Sequence, residues 1–162
     1  MNKLIATVCY TGYLRPAPGT WGSLAALPLA WLIYEAGGYW LLIVLGVVVF
    51  FAGVKATEHM AAETGDHDPS CVVVDEVVGQ WVALLPVVIG ASNAQVEITA
   101  LWPGWVAAFI LFRLFDIWKP GPIGWADRKE TAVGVMLDDV FAGIFASIGV
   151  VVLAGVAHLW LM

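Results

Sequence analysis

Charge is scarce in this chain. Only 12% of its 162 residues are Asp, Glu, Lys or Arg, while 61% are hydrophobic, and the mean hydropathy is +0.88. A soluble domain carries roughly 25% charged and about 45–50% apolar residues. The deficit excludes an ordinary water-soluble fold and points to a multi-pass membrane protein. Positive charge is scarcest: seven Lys and Arg stand against thirteen Asp and Glu, for a formal net charge of −6. That excludes nucleic acid, a partner that needs a basic face. Cysteine is almost missing, and Cys9 and Cys71 form no metal or redox spacing. There is no low-complexity tract and no fixed-period repeat. Lys3 is followed by only a short apolar stretch before Tyr10-Thr11-Gly12, so no cleavable signal is expected.

What is present is apolar sequence in long runs. The length suits one domain, 1–162. Five apolar segments are predicted, roughly 21–36, 40–56, 72–89, 101–118 and 140–160. A perpendicular helical span needs about 20 residues, and about 17 suffices. Barrel strands would alternate over about 10 residues, so these are helices and the fold is all-α. The first segment is short and carries Pro28, as a broken or partly re-entrant segment would. Nine Trp and four Tyr suit interfacial anchoring. With five alternating spans, Lys3, Arg15, Lys55, Arg113, Lys119, Arg128 and Lys129 all fall on one side. The positive-inside rule makes that side cytoplasmic. The C-terminus and His158 then lie outside.

The acids are the informative minority. Asp75-Glu76, Asp116 and Asp138-Asp139 each lie at or inside the end of an apolar run. A carboxylate near hydrocarbon costs roughly 2.5–3.5 kcal/mol on insertion scales, so such groups are paired, hydrated or bound to a cation. In the alternating reading all five share the cytoplasmic face. Gly79 and Gly143 follow the two acid pairs by about one turn. Small residues permit close helix contact in membranes, so the pairs can face each other. Adjacent carboxylates repel unless one is protonated or a divalent cation intervenes, and hard Mg²⁺ takes oxygen ligands. The alternative is hydrated acids that merely favour a helix N-terminus.

Two further stretches carry polar groups suited to phosphate. In Arg15-Pro16-Ala17-Pro18-Gly19-Thr20-Trp21-Gly22-Ser23, a rigid loop enters a helix. Thr20 and Ser23 offer hydroxyls, and a helix N-terminus favours anions; a plain N-cap and tight turn is the alternative. Arg113 and Asp116 share a helix face. They read either as an internal ion pair, with Lys119 a snorkelling anchor, or as Arg113 and Lys119 on phosphate with Asp116 on metal. Asp66, His67 and Asp68 read as solvated loop residues. Other schemes fail. No Arg stands six residues after Cys71, and no Gly-rich loop ends in Lys-Ser or Lys-Thr. His59, His67 and His158 make no zinc spacing, there is no Gly-x-Ser-x-Gly elbow, and no histidine nucleophile has basic motifs around it.

Four stretches in order resemble the phosphatidylglycerophosphatase A family. They are Ala17-Pro18-Gly19-Thr20-Trp21-Gly22-Ser23; Val73-Val74-Asp75-Glu76-Val77-Val78-Gly79; Phe112-Arg113-Leu114-Phe115-Asp116-Ile117-Trp118-Lys119-Pro120 with Pro122-Ile123; and Gly134-Val135-Met136-Leu137-Asp138-Asp139 with Ala142-Gly143. Asp127-Arg128 also fits. The resemblance implies an all-helical bacterial inner-membrane hydrolase of phospholipid biosynthesis. It implies Mg²⁺-dependent removal of the terminal phosphate from phosphatidylglycerophosphate, giving phosphatidylglycerol. In that reading Asp75, Glu76, Asp116, Asp138 and Asp139 hold the metal, with Asp75, Asp116 and Asp139 catalytic. Arg113, Lys119, Thr20 and Ser23 bind phosphate. The rivals are a small ion or proton carrier working through carboxylates, and a helical packing subunit whose acids only cap.

Overall fold

The computed structural model describes residues 1–161, for Leu161 the backbone alone. Its helices are α1 (Asn2–Ala6), α2 (Pro18–Thr64), α3 (Val74–Ala94), α4 (Trp102–Trp118), α5 (Pro122–Asp127) and α6 (Ala132–Leu161), with short 3-10 turns at Thr11–Tyr13 and Ile98–Leu101. No strand occurs among the described residues. Four helices are long and apolar enough to cross a membrane: α2, α3, α4 with its preceding turn, and α6. The all-α membrane architecture read from the sequence is therefore the one observed.

The five predicted segments and these four helices are reconciled inside α2. Its 47 residues leave helical geometry at Gly37 (φ −163°, ψ 18°) and Gly38 (φ 69°, ψ −170°). A Cβ added to Gly22 would lie 2.7 Å from the Val73 side chain, and one added to Gly53 would lie 3.2 Å from that of Val74. A straight helix would hold Gly22 and Gly53 about 46 Å apart. Both meet consecutive residues at the start of α3, so the chain must turn back between them. Glycine takes the positive φ at position 38 without steric cost. The two limbs are the first two predicted segments. Pro28 does not break the first limb, since only Gly37 and Gly38 are non-helical within α2.

Helix α3 is the axis of the bundle, with twelve of its 21 residues buried. The Trp81 indole N–H donates to the Ala26 carbonyl at 3.0 Å, tying α3 to the first limb of α2. Ser147 Oγ donates to the Val82 carbonyl at 2.6 Å, tying α3 to α6. The α3–α6 crossing is closer than side chains would allow. A Cβ on Gly79 would come within 2.6 Å of the Asp139 carbonyl oxygen, and one on Gly143 would strike the Gly79 carbonyl. Helix α4 closes the bundle, with Phe112 fully buried and Phe115 meeting Phe145 of α6 edge-on at 5.6 Å.

The last helix begins well before the predicted residue 140. Thr131 supplies the start signal: its Oγ1 accepts from the Gly134 backbone N–H at 3.1 Å, which is an N-cap bond. Val135 and Met136 in the added turn are buried, and Met136 packs with Ala6, Ala56, Val74 and Val78. Asp138 and Asp139 thus lie inside α6 rather than opening it. Likewise α3 runs past residue 89 to Ala94, and the stretch between Lys119 and α6 contains α5.

Outward-facing residues are strongly apolar, among them Ile110, Leu114 and Ile117 on α4 and Ile148, Val151 and Val152 on α6. A contiguous apolar surface of this kind is unusual in water and matches a bilayer. Exposed Trp residues stand near both ends of the helices: Trp21, Trp118 and Trp125 near one, Trp40, Trp102 and Trp160 near the other. Interfacial belts have this pattern.

Because the Gly79 position faces backbone, Gly79→Ala is expected to lower the melting temperature of the purified protein in detergent, in line with an overpacking cost of about 1–3 kcal/mol. Gly155 has nothing within 4 Å of an added Cβ, so Gly155→Ala is expected to leave the melting temperature unchanged or slightly raised. Equal melting temperatures for wild type and Gly79→Ala would contradict the close crossing.

Candidate functional site

Three helices deliver acids to one end of the bundle. Asp75 and Glu76 stand in the first turn of α3, where unpaired backbone N–H groups favour negative charge. Asp139 and Asp138 come from the second turn of α6, and Asp116 from the last turn of α4. Together with Arg113 and Lys119 they line a cavity of about 340 Å³. A larger groove of about 390 Å³, between the second limb of α2, α3 and α6, is lined without any ionisable side chain and offers no comparable chemistry.

The charges in the polar cavity sort into pairs and a remainder. Arg113 Nη1 lies 2.6 Å from Asp116 Oδ2 and 4.0 Å from Glu76 Oε1. It also donates to Ser23 Oγ at 3.3 Å, while Ser23 Oγ donates to the Gly19 carbonyl at 2.8 Å. Lys119 closes α4 in a left-handed conformation, φ 48°. Its Nζ donates to Asp138 Oδ2 at 2.8 Å and makes a short contact with Asp127 Oδ1. Burial works to lower the Lys119 pKa, but the bonds to Asp127 and Asp138 outweigh it and hold the ammonium well above its ordinary value. Asp138 Oδ1 accepts from the Asp139 backbone N–H at 3.0 Å.

Asp75 and Asp139 are left over, and Glu76 meets Arg113 only at 4.0 Å through Oε1. Each offers a carboxylate oxygen, and these oxygens lie within 4.8 Å of one another. Asp75 is 7% exposed and Asp139 3%. Asp75 Oδ1, Glu76 Oε2 and Asp139 Oδ2 are buried with no hydrogen-bond partner. Buried polar atoms are nearly always satisfied, and three clustered carboxylates are destabilised unless protonated or neutralised. An all-oxygen donor set of this kind fits a hard divalent cation. The trio could hold a metal ion.

Of the residues singled out in the sequence, Asp75, Glu76, Arg113, Asp116, Lys119, Asp138 and Asp139 surround the one cavity, whereas Thr20 and Ser23 do not line it. Ser23 is fully buried and supports Arg113 from behind. Gly19 does line it, and its lack of a side chain matters: a Cβ there would strike Glu76 Oε1 and lie 3.1 Å from Arg113 Nη1. Asp68, in the exposed loop before α3, stands at the cavity rim. Asp127 was not singled out as a site residue, and the signal available for it was the match of Asp127-Arg128 to the family pattern.

The family model and two of three curated relatives carry the same description. A family model described as Phosphatidylglycerophosphatase A matches residues 4–154. The Phosphatidylglycerophosphatase A of Haemophilus influenzae is 36% identical over 146 residues, covering 90% of this chain and 83% of that protein. The protein of the same name from Escherichia coli is 36% identical over 166 residues, covering 97% and 84%. A Bacteroides thetaiotaomicron protein named Putative phosphatidylinositol-3-phosphatase is 39% identical over 150 residues, covering 90% and 88%. No solved structure gives a significant match.

The pairing of Lys119 with Asp138 has a measurable consequence. Breaking a fully buried pair costs about 3–5 kcal/mol; the Lys119 side chain is 30% exposed, so the cost here should be smaller. Lys119→Met is expected to lower the melting temperature in detergent, and Lys119→Met with Asp138→Asn to recover much of the loss. A double variant as unstable as the single one would refute the pairing.

Proposed function

This chain belongs to the phosphatidylglycerophosphatase A family, and on that premise we propose that it hydrolyses phosphatidylglycerophosphate to phosphatidylglycerol and inorganic phosphate, with Mg²⁺ as cofactor, in phospholipid biosynthesis. The observation that carries the reading is the trio Asp75, Glu76 and Asp139, each with a buried oxygen that lacks a partner, set beside two basic residues at the end of apolar helices. Both kinds of relative bear names of lipid phosphatases, so a lipid phosphomonoester is the shared substrate chemistry.

Asp75, Glu76 and Asp139 would hold the cation, and Asp138 is kept near them by Lys119. When bound, Mg²⁺ supplies charge neutralisation of the phosphoryl oxygens and a more acidic water. The residues of the chain do the rest. Arg113, clamped by Asp116 and Ser23, presents its planar fork to phosphate oxygens. Lys119 adds a second positive charge at the same cavity. Asp116 orients the attacking water and takes its proton. A new bond forms from the water oxygen to phosphorus, the bond from phosphorus to the lipid oxygen breaks, and that oxygen leaves as the free hydroxyl of phosphatidylglycerol by taking up the proton that Asp116 removed from the water. The acyl chains stay in the bilayer against the apolar flank of α4, where Ile117 both lines the cavity and is 72% exposed.

The carrier alternative is less well supported. Transport sites lie near the bilayer midplane, between broken helices, whereas Asp75 and Glu76 begin α3 and Asp116 ends α4. The basic residues gather at that same end, which supports a cytoplasmic orientation in a bacterial inner membrane under the positive-inside rule.

Phosphate release by the purified protein from phosphatidylglycerophosphate in mixed micelles tests the activity. Release is expected with Mg²⁺ and not with chelator. Asp139→Asn is expected to reduce it by about a hundredfold or more, given what preorganised charge contributes at such sites. A soluble glycerol phosphate should be cleaved far more slowly; equal kcat/KM for both would refute an interfacial lipid site. Orientation is read separately. In a cysteine-free background, Lys129→Cys should be labelled from the cytoplasmic side, and Gly38→Cys and Asn93→Cys from the opposite side. Labelling of all three from one side would reject the topology.

A further inference from the structure

Gln80 takes no part in the reading above, yet it is the most conspicuous unpaired polar side chain in the bundle. It lies on α3, it is fully buried, and both Nε2 and Oε1 lack a partner. Leaving an amide in that condition inside an apolar helix bundle is costly. Its surroundings contain complementary deficits. Glu76 is one turn earlier on the same helix face, the spacing at which side chains meet, and its Oε2 is buried without a partner. Arg113 Nε on α4 is buried without a partner as well.

The α4 turn that bears Arg113 lies alongside this part of α3. The Phe112 ring sits where a Gly79 Cβ would go, 2.5 Å from it, and Arg113 Nη1 reaches to 4.0 Å from Glu76 Oε1. The unsatisfied groups thus form a matched series: a carboxylate acceptor, an amide with a donor and an acceptor end, and a guanidinium donor. Thr57 Oγ1 is a further buried unpaired atom, but its neighbour Ala56 packs with Met136, Val74 and Val78 instead.

We propose that Gln80 is a positioning residue that joins the two halves of the site, its Nε2–H donating toward the Glu76 carboxylate and its Oε1 accepting from the direction of Arg113 Nε–H, each through one bridging water. The proposal rests on the phosphatase reading, because it concerns how that site is held. An ionised carboxylate has about four acceptor positions, so Glu76 can accept from Gln80 and still face a cation. Partners behind metal ligands fix ligand orientation, and their loss typically lowers metal affinity by about 10–100-fold. Gln80 would do this for Glu76 and for the phosphate-binding Arg113 together.

The test uses the full chain in detergent, with Gln80→Leu removing both polar atoms at similar volume and Gln80→Met as an unbranched second choice if the first does not fold. Mg²⁺ alone is titrated calorimetrically into each protein, without lipid. The wild type is expected to bind, and the variants to bind about tenfold more weakly, with a raised KM for the lipid phosphate. Their melting temperature is expected to fall modestly, since Glu76 and Arg113 each lose a buried partner, so the Mg²⁺ affinity is the deciding readout. A purely structural Gln80 predicts the lower melting temperature with wild-type Mg²⁺ affinity and wild-type KM. Wild-type affinity in a folded Gln80→Leu or Gln80→Met protein overturns the proposal alone. Failure of the wild type to bind Mg²⁺ or to release phosphate overturns the phosphatase reading, and this proposal with it.

Discussion

The contact between backbones at the α3–α6 crossing is the constraint from which the site follows. Gly79 meets the Asp139 carbonyl and Gly143 meets the Gly79 carbonyl, so the helices approach as closely as main chains allow. That closeness brings the first turn of α3 against the second turn of α6, and with it Asp75 and Glu76 against Asp139. Spreading the helices by one methyl group would separate the carboxylates. Their mutual repulsion would fall, and so would their value as a ligand set. The glycines thus force an electrostatic conflict on the chain, and the conflict is what a cation relieves.

The rest of the charge is arranged around that conflict. Arg113 is shared among Asp116, Glu76 and Ser23, and Lys119 between Asp138 and Asp127. Both cations are therefore held in place before any substrate arrives, and preorganised charge is more effective than charge that must be gathered. The pairing also explains how so many acids coexist at the edge of an apolar bundle. Two basic side chains absorb part of the negative charge, and the part they do not absorb is concentrated on three oxygens with no other partner.

Most of the fold was legible because its signals are local. Apolar runs of spanning length gave the helices, and the gap between residues 36 and 40 marked where the first two part. The errors came from weaker cues. Pro28 was weighed as a break, but the surrounding helix continues through it. Thr131 is a weak cap signal in sequence because the apolar run begins nine residues after it, so residue 140 marks the start of the helix there, whereas α6 begins at Ala132. At the site, the carboxylates could be found because charge inside an apolar run is conspicuous. The pairing of Asp116 with Arg113 is one of the two readings their shared helix face allows, and the structure adopts it; the pairing of Asp138 with Lys119 could not be read in advance, since ligand and counterion have the same residue types. Gln80 was invisible for a different reason: an uncharged amide in an apolar run raises no alarm until its lack of partners can be seen.

The two-glycine reversal in α2 also bears on how the protein reaches its place. A helical hairpin whose tip is Gly37-Gly38 can enter a bilayer tip first, with no charged loop to drag through. Near the end that must pass the hydrocarbon, the first two limbs carry only Glu35, and the turn between α3 and α4 carries only Glu97. In the proposed orientation the basic residues stay on the side of departure. Membrane biogenesis and chemistry are thereby served by one asymmetry: the end that inserts easily is nearly featureless, and the end left behind holds the acidic cavity with Arg113 and Lys119.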